Sequence, residues 1–485
     1  MKSIFKATAI LGSSSAIGAV VGIVSAKMWA ITVGPAGIGY LSMQLSVLGL
    51  VTLIAGLGIG AGIVRLGAKA IAEDDKLGVA ANQKAVIVIS LAAGIVGVLI
   101  LFVFGDAINR TFLDDKSSGR EVAALGVALI FSLLTSAFTS ILNAHQNVKA
   151  LAKFTVISNT LGSIVLIACL WARGIEGIVT GIILSSLFGC LTSYYFYKRE
   201  IIIEPVVVPR EKLFETIKSL LKFGIPFTGS MIVGTGVQMV LPLLILQNLG
   251  LESIGFYRAA SSIAVTSLAL VMGAMVMDYY PRLSAASGEP QELITIINEQ
   301  LYLLFVLLSP VILWLLFLSP VVVPLLYSTK FSDSAEILNW FLVGDVFRLL
   351  SWSLSFVILA RSKSSVFFFI ELFGGATSLV TSLLGMQWFG TKGLGISYLA
   401  TYFLYYLLVL FLVRRQIGFA YSRENKFLAL STLASAIGIS VLTAYGETNL
   451  RNGFALLVCL IYTGVSFFIV KKHFFHDQSE ENQAA

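Results

Sequence analysis

Charge is what this sequence has least of: only 12% of its 485 residues are charged, against 57% that are hydrophobic. A water-soluble chain needs about a quarter of its residues charged to cover its surface. This one cannot be covered by water, so lipid is the solvent for most of it. Period-two alternation is missing too, which excludes a β-barrel and leaves helices. Cysteine is scarce: Cys169, Cys190 and Cys459 all fall inside apolar runs, so no disulfide framework is expected and the spacing suits no metal site. There is no G-x-x-x-x-G-K-S/T loop, no H-E-x-x-H, no G-x-S-x-G and no histidine cluster. Nothing argues for an enzyme, and no cofactor or metal is implied. No connection is long enough to fold as a soluble domain. The net charge of +7 is read as lysine and arginine anchors at the membrane surface, not as a nucleic-acid footprint.

What fills the chain is a succession of apolar runs, each long enough to cross about 30 Å of hydrocarbon. Fourteen spans are expected: six between 7 and 197, six between 220 and 413, and a last pair near 426–445 and 453–471. Lys2 and Lys6 precede the first run, which is too long for a signal peptide and is expected to stay as a helix,. Cations gather in alternate connections, among them Arg65, Lys69, Lys76 and Lys84, then Lys149 and Lys153, then Lys198 and Arg199. That alternation places both termini in the cytoplasm.

The chain also repeats. Gly34, Ile38 and Gly39 recur 216 residues later as Gly250, Ile254 and Gly255, with Tyr40 facing Phe256. Gly174 and Gly177 recur at the same offset as Gly390 and Gly393, and Lys198-Arg199 as Arg414-Arg415. Six spans per copy keep both copies in the same orientation. The expected architecture is an all-α polytopic membrane protein of about fourteen transmembrane helices. An N-lobe (1–215) and a parallel C-lobe (216–418), six helices each, surround a central cavity, and 419–485 adds a helix pair and a short tail. That is the plan of an alternating-access transporter.

Ionisable residues inside spans are functional candidates by default. Lys27 and Arg258 lie near the outer ends of the first and eighth spans, where each either snorkels to headgroups or faces the cavity,. Asp278 lies near the inner end of the eighth span, four residues before Arg282, which can pair with it. Asp345 and Arg348 lie mid-span, three apart and so on one helix face,. Either they neutralise each other or they line the cavity, Arg348 meeting an anion and Asp345 answering to protons or a cation. Glu371, a carboxylate at depth in the next span, needs a partner, with Arg348 or Lys363 available. Gly56, Gly58, Gly60 and Gly62 stud the second span, for close packing or for flexing,.

Several stretches carry a resemblance. These are Gly34-Pro35-Ala36-Gly37 with Lys27 seven residues before it, Lys330-Phe331, Trp340 through Gly344-Asp345-Val346-Phe347-Arg348, and Glu371. In them the chain resembles the Wzx-type lipid-linked oligosaccharide flippases of the MOP (MATE-like) superfamily, over about residues 1–415. The resemblance implies a cargo of undecaprenyl-pyrophosphate-linked oligosaccharide, moved to the outer leaflet of a bacterial inner membrane for O-antigen or common-antigen synthesis. It also implies membrane lipid, a polysaccharide polymerase and chain-length proteins as partners. The lipid II flippase of that superfamily has essential cations on its first and eighth helices, where Lys27 and Arg258 lie here. By this resemblance Lys27, Arg258 and Arg348 bind the diphosphate and sugar, and Asp278, Asp345 and Glu371 serve ion coupling or gating. Two other readings remain. A cation-coupled drug exporter would want a carboxylate-rich, aromatic cavity. A membrane glycosyl polymerase or ligase would want a sizeable outer loop.

Overall fold

The computed structural model describes residues 2–112, 119–201, 206–361, 364–445 and 448–484, and no strand occurs among them. Its fourteen α-helices are α1 (Lys2–Ala55), α2 (Ile59–Ala72), α3 (Lys76–Phe112), α4 (Gly119–Ala144), α5 (Val148–Arg173), α6 (Gly177–Glu200) and α7 (Arg210–Leu249), then α8 (Leu251–Ala285), α9 (Pro290–Leu326), α10 (Asp333–Ala360), α11 (Ser364–Phe389), α12 (Lys392–Ile417), α13 (Arg423–Tyr445) and α14 (Thr448–Ala484). Ten helical stretches among the described residues are long and apolar enough to cross a membrane, or eleven if Leu251–Ala269 and Val271–Ala285 form one bent span. Two of these stretches, Ile17–Ala55 and Val148–Glu200, run across a break between two of the expected spans. Their outward faces are apolar: on α3, Ile95, Leu99, Phe102 and Val103 are all more than half exposed. A helix with no polar face is at home in lipid. The chain is a multi-pass membrane protein.

The breaks come from glycine and proline rather than from loops. α1 covers the first expected span and most of the second, with a kink at Gly34 (φ 65°, ψ −169°) before Pro35. Proline disfavours a helical residue before it, and this combination of angles is essentially open only to glycine. Gly250, between α7 and α8, adopts nearly the same conformation (φ 82°, ψ 179°). Gly174 and Gly390, which follow α5 and α11, also have positive φ (61° and 59°). The stretch rich in glycines after residue 55 is a break: Gly58 (φ 61°) starts α2. There α2 meets α7, and a Cβ on Gly224 would overlap the Leu57 carbonyl.

The structure gathers into two compact units, Met1–Gly255 with Leu326–Ser328, and Phe256–Leu325 with Thr329–Ala485. In the first, α3 packs on α4, α5 on α6, and α7 on α1, α2 and α3. Its inner core is built on Ile59, Ile63, Phe138, Ile141 and Tyr197. In the second, α10 packs on both α12 and α13, and α11 on α12. Most of α10 is buried, from Ser334 to Ala360, and its core includes Tyr279, Phe305, Leu354 and Val413. The helix pair α13–α14 is tied to α9 by polar contacts at several levels. Asn425 Nδ2 donates to the Asn298 carbonyl (2.8 Å), Ser309 and Thr432 share a hydrogen bond (2.9 Å), and Trp314 Nε1 donates to Thr463 (3.0 Å).

Candidate functional site

The α-helical repeat puts Phe341, Asp345 and Arg348 on one stripe of α10, and Tyr398, Tyr402 and Tyr405 on one stripe of α12,. Two glycines bring these stripes together. A Cβ on Gly344 would lie 2.8 Å from the Tyr398 ring, and one on Gly395 would lie 2.9 Å from the Ile337 carbonyl. Asp345 is completely buried. Its Oδ1 accepts from the Tyr398 hydroxyl at 2.8 Å, while Arg348 Nη1 stands 3.5 Å from the same oxygen. Arg348 Nη1 also donates to the Tyr398 oxygen at 3.2 Å. The tyrosine hydroxyl is thus the tighter link, and it bridges the acid and the base. Asp345 Oδ2 is buried with no hydrogen-bond partner among the described residues.

Aromatic rings extend the cluster along α12. Phe341 stacks on Tyr398 (4.3 Å between centroids, 25°), and Tyr398 lies 4.6 Å from Tyr402. The Arg348 guanidinium stands 5.8 Å from the Tyr402 ring centre, close enough for cation–π attraction. Tyr405 follows at 6.4 Å from Tyr402 and donates its hydroxyl to Glu371 Oε1 at 2.7 Å. Gly374 makes room for that ring, since a Cβ there would lie 2.8 Å from Tyr405 Cδ2. The result is one continuous run from buried Asp345 through Arg348 and three tyrosines to exposed Glu371. Chemically, it holds one guanidinium in place with its side chain 21% exposed, and two separate hydrogen-bonded groups, Asp345–Tyr398–Arg348 and Tyr405–Glu371, are linked by ring contacts through Tyr402.

Asp345, Arg348 and Glu371 are therefore brought into one network. The partner of Glu371 is a tyrosine hydroxyl where the sequence pointed to a cation, and Lys363 lies outside the described residues. Asp278 stands apart: it is exposed and pairs with Arg282 (3.4 Å), which binds Glu299 more closely (2.7 Å). Lys27 lies partly buried on α1 in the first unit, and Arg258 lies exposed on α8 in the second. The three tyrosines were not among the candidates read from the sequence, although their i, i+4, i+7 spacing inside an apolar run was a visible signal. Among the described residues no group of three His, Cys, Asp or Glu could hold a metal ion.

A family model described as "Polysaccharide biosynthesis protein" matches residues 32–336, ending just before the network on α10. The chain is 24% identical over 280 residues to the "Putative O-antigen transporter" of Shigella flexneri, covering 56% of this chain and 65% of that one. It is 25% identical over 274 residues to the stage V sporulation protein B of Bacillus subtilis (strain 168), covering 53% and 52%. The chain thus spans between half and two thirds of the length of these curated relatives. Among solved structures it is similar to the lipid II flippase MurJ in an inward closed conformation, with TM-score 0.69, 17% identity, and 97% and 99% of the two chains covered. It is also similar to an inward-facing multidrug resistance MATE family transporter of the MOP superfamily, with TM-score 0.67, 15% identity, and 83% and 94% covered. At these identities the likeness shows the fold.

Proposed function

Because the chain belongs to the family of polysaccharide biosynthesis proteins, we propose that it carries undecaprenyl-pyrophosphate-linked oligosaccharide from the inner to the outer leaflet of a bacterial inner membrane. The observation that carries this reading is the likeness to a lipid II flippase over nearly all of both chains, together with the family match. The flippase-type transporter fold is common ground, while the cargo, its direction and alternating access between two six-helix lobes belong to the proposal. A diphosphate is strongly anionic, and cations presented where the dielectric is low attract it strongly. Lys27, Arg258 and Arg348 are the side chains that this reading assigns to cargo, and Asp345 and Glu371 those that it assigns to ion coupling. Asp278, engaged with Arg282 at the surface, falls to gating. Cation-rich alternate connections favour cytoplasmic termini. A polysaccharide polymerase and chain-length proteins would then receive the cargo on the far side.

The test is translocation in proteoliposomes containing a fluorescent undecaprenyl-pyrophosphate sugar, with an impermeant reagent reporting the exposed fraction. The parent protein should expose the inner pool, and Lys27→Ala and Arg348→Ala should each slow this at unchanged protein level. A parent no faster than empty vesicles overturns the reading. The second reading, a cation-coupled exporter of small molecules, is favoured by the buried carboxylate of Asp345. It requires a drug to be expelled by the same vesicles under a proton or sodium gradient.

A further inference from the structure

Within the second unit Asp345 is held unevenly. One oxygen, Oδ1, takes the Tyr398 hydroxyl at 2.8 Å, with Arg348 Nη1 at 3.5 Å. The other, Oδ2, is buried and has no donor among the described residues. An ionised carboxylate accepts at both oxygens, and a buried one is tolerated only when it is paired and hydrogen-bonded. The cation in contact with Asp345 is Arg348, on its own helix. α12 faces the pair with Tyr398 and Tyr402. α11 brings Glu371, whose hydrogen bond comes from Tyr405. α8 brings Tyr257, packed on Phe341 at 5.7 Å, with Arg258 next in the chain. α9 has no titratable residue between Tyr302 and Leu326, and α13 has none between Lys426 and Tyr445.

Arg348 is the exposed member of the pair, since its side chain keeps some surface where that of Asp345 keeps none. A charge inside a span that is partly open faces a polar space and not lipid. The pattern on α12 agrees. Leu404 and Phe411, both exposed and apolar, lie about half a turn around the helix from Tyr402, so the tyrosines and Arg348 are on the side away from lipid. An anion arriving there meets the guanidinium and cannot touch Asp345. It competes with Asp345 for Arg348, and a phosphate has the better geometry. The planar guanidinium fits two phosphate oxygens at once, whereas Asp345 presents one oxygen at 3.5 Å.

We propose that the diphosphate of the cargo draws Arg348 away from Asp345, and that Asp345 takes up a proton in exchange. This rests on the cargo assignment made above. A buried carboxylate that loses its cation is neutralised and does not stay charged. The proton comes from water on the open side of Arg348 and is held on Oδ1. There it is donated to the Tyr398 oxygen, which has lost the Arg348 donor that stands 3.2 Å from it in the empty site. The 2.8 Å contact between Asp345 and Tyr398 thus survives with its direction reversed, and the tyrosine turns its own proton away from the acid. Arg348 exchanges one anionic partner for another, and the partner left behind becomes neutral. Cargo and proton are bound together, so each favours the other.

The full-length protein in detergent is titrated calorimetrically with undecaprenyl-pyrophosphate-linked sugar between pH 6 and pH 8. Repeating each titration in buffers of different ionisation heat counts the protons taken up. A diphosphate esterified at both ends keeps a fixed charge over this range, so any uptake belongs to the protein. The parent should take up as much as about one proton per cargo, and its Kd should rise by up to about tenfold per pH unit. His145→Gln should keep that slope. Asp345→Asn, whose amide can donate to Tyr398 as the protonated acid would, should bind at pH 8 as tightly as the parent at pH 6, with no uptake. Arg348→Gln should bind weakly throughout and take up none. Cargo bound by the parent without proton uptake overturns the inference and leaves the cargo assignment standing. So does an Asp345→Asn or Arg348→Gln variant that keeps the uptake of the parent. A parent that binds no cargo at any pH overturns both.

Discussion

Gly39 lies so close to the main chain at Leu251 that a Cβ on Gly39 would overlap the Leu251 carbonyl. Gly255 meets the Pro35 carbonyl in the same way. The two contacts exchange equivalent positions: 35 and 251 are 216 residues apart, and so are 39 and 255. The segments after Gly34 and Gly250 therefore cross each other with local two-fold character inside the first unit.

The crossing predicts a steep cost for a single methyl group. Gly39→Ala and Gly255→Ala should each destabilise the protein by about 1–3 kcal/mol, the range for overpacking a tight contact. Gly464→Ala, with open space around it in α14, should be neutral or stabilising by up to about 1 kcal/mol. Thermal unfolding of the three purified variants checks the contrast, and equal midpoints would refute it.

Tyr398 is a positioning residue for Asp345 and Arg348. Tyr398→Phe keeps the stack on Phe341 but removes the hydroxyl that bridges acid and base. The loss should be about 1–3 kcal/mol, the cost of leaving a buried acceptor short of its donor. Tyr402→Phe, which keeps a ring beside Arg348, should cost less. If transport under an ion gradient uses Asp345, Tyr398→Phe should also alter its dependence on that gradient, a change that simple destabilisation does not predict.

His145 supplies a pH dependence. Burial lowers its pKa below the usual histidine value, so the folded protein favours the neutral ring. The contribution is fully present above the unfolded pKa of about 6.5 and is lost as pH falls through that value toward the lower folded one. His145 lines a cavity with Gln83, Tyr197, Lys76, Lys84 and Asp74, and its ring contacts the Gln83 amide (3.3 Å). Between pH 8 and pH 5 the unfolding temperature of the parent should fall more than that of His145→Gln. Parallel curves would remove His145 as the cause.

Asp74 and Gln146 hold left-handed backbone angles without being glycine. Gln146→Gly should therefore stabilise by up to about 1 kcal/mol, and Asp74→Gly by less, because aspartate tolerates that conformation better. Chemical denaturation midpoints measure both, and a lower midpoint for Gln146→Gly contradicts the strain.

Much of this was readable in the residues. The apolar runs announced the helices, and Gly34, Gly174, Gly250 and Gly390 announced the breaks, because only special backbone angles call for glycine at matched positions. Asp345 and Arg348 were legible as neighbours because three residues along a helix is a fixed geometry. What could not be read was anything that depends on how one helix lies on another. The bridge from Tyr398 exists only because Gly344 and Gly395 let α10 and α12 approach, and spacing within one helix says nothing about that. The choice of Tyr405 as partner for Glu371 has the same origin, since it requires the space left by Gly374. The packing of α7 on α1, α2 and α3 is another case, for it rests on the meeting of Gly58 with Gly224, 166 positions away and outside the repeat.

The burial of α10 has a mechanical consequence. A helix enclosed over most of its length cannot roll or slide without repacking its neighbours, and close-packed interiors resist such change. Whatever motion the second unit makes, α10 and α12 must travel as a single stiff strut, with Asp345, Tyr398 and Arg348 fixed within it. Probes on these two helices should keep a constant separation through a working cycle, which makes the pair an internal ruler against which movement elsewhere can be gauged.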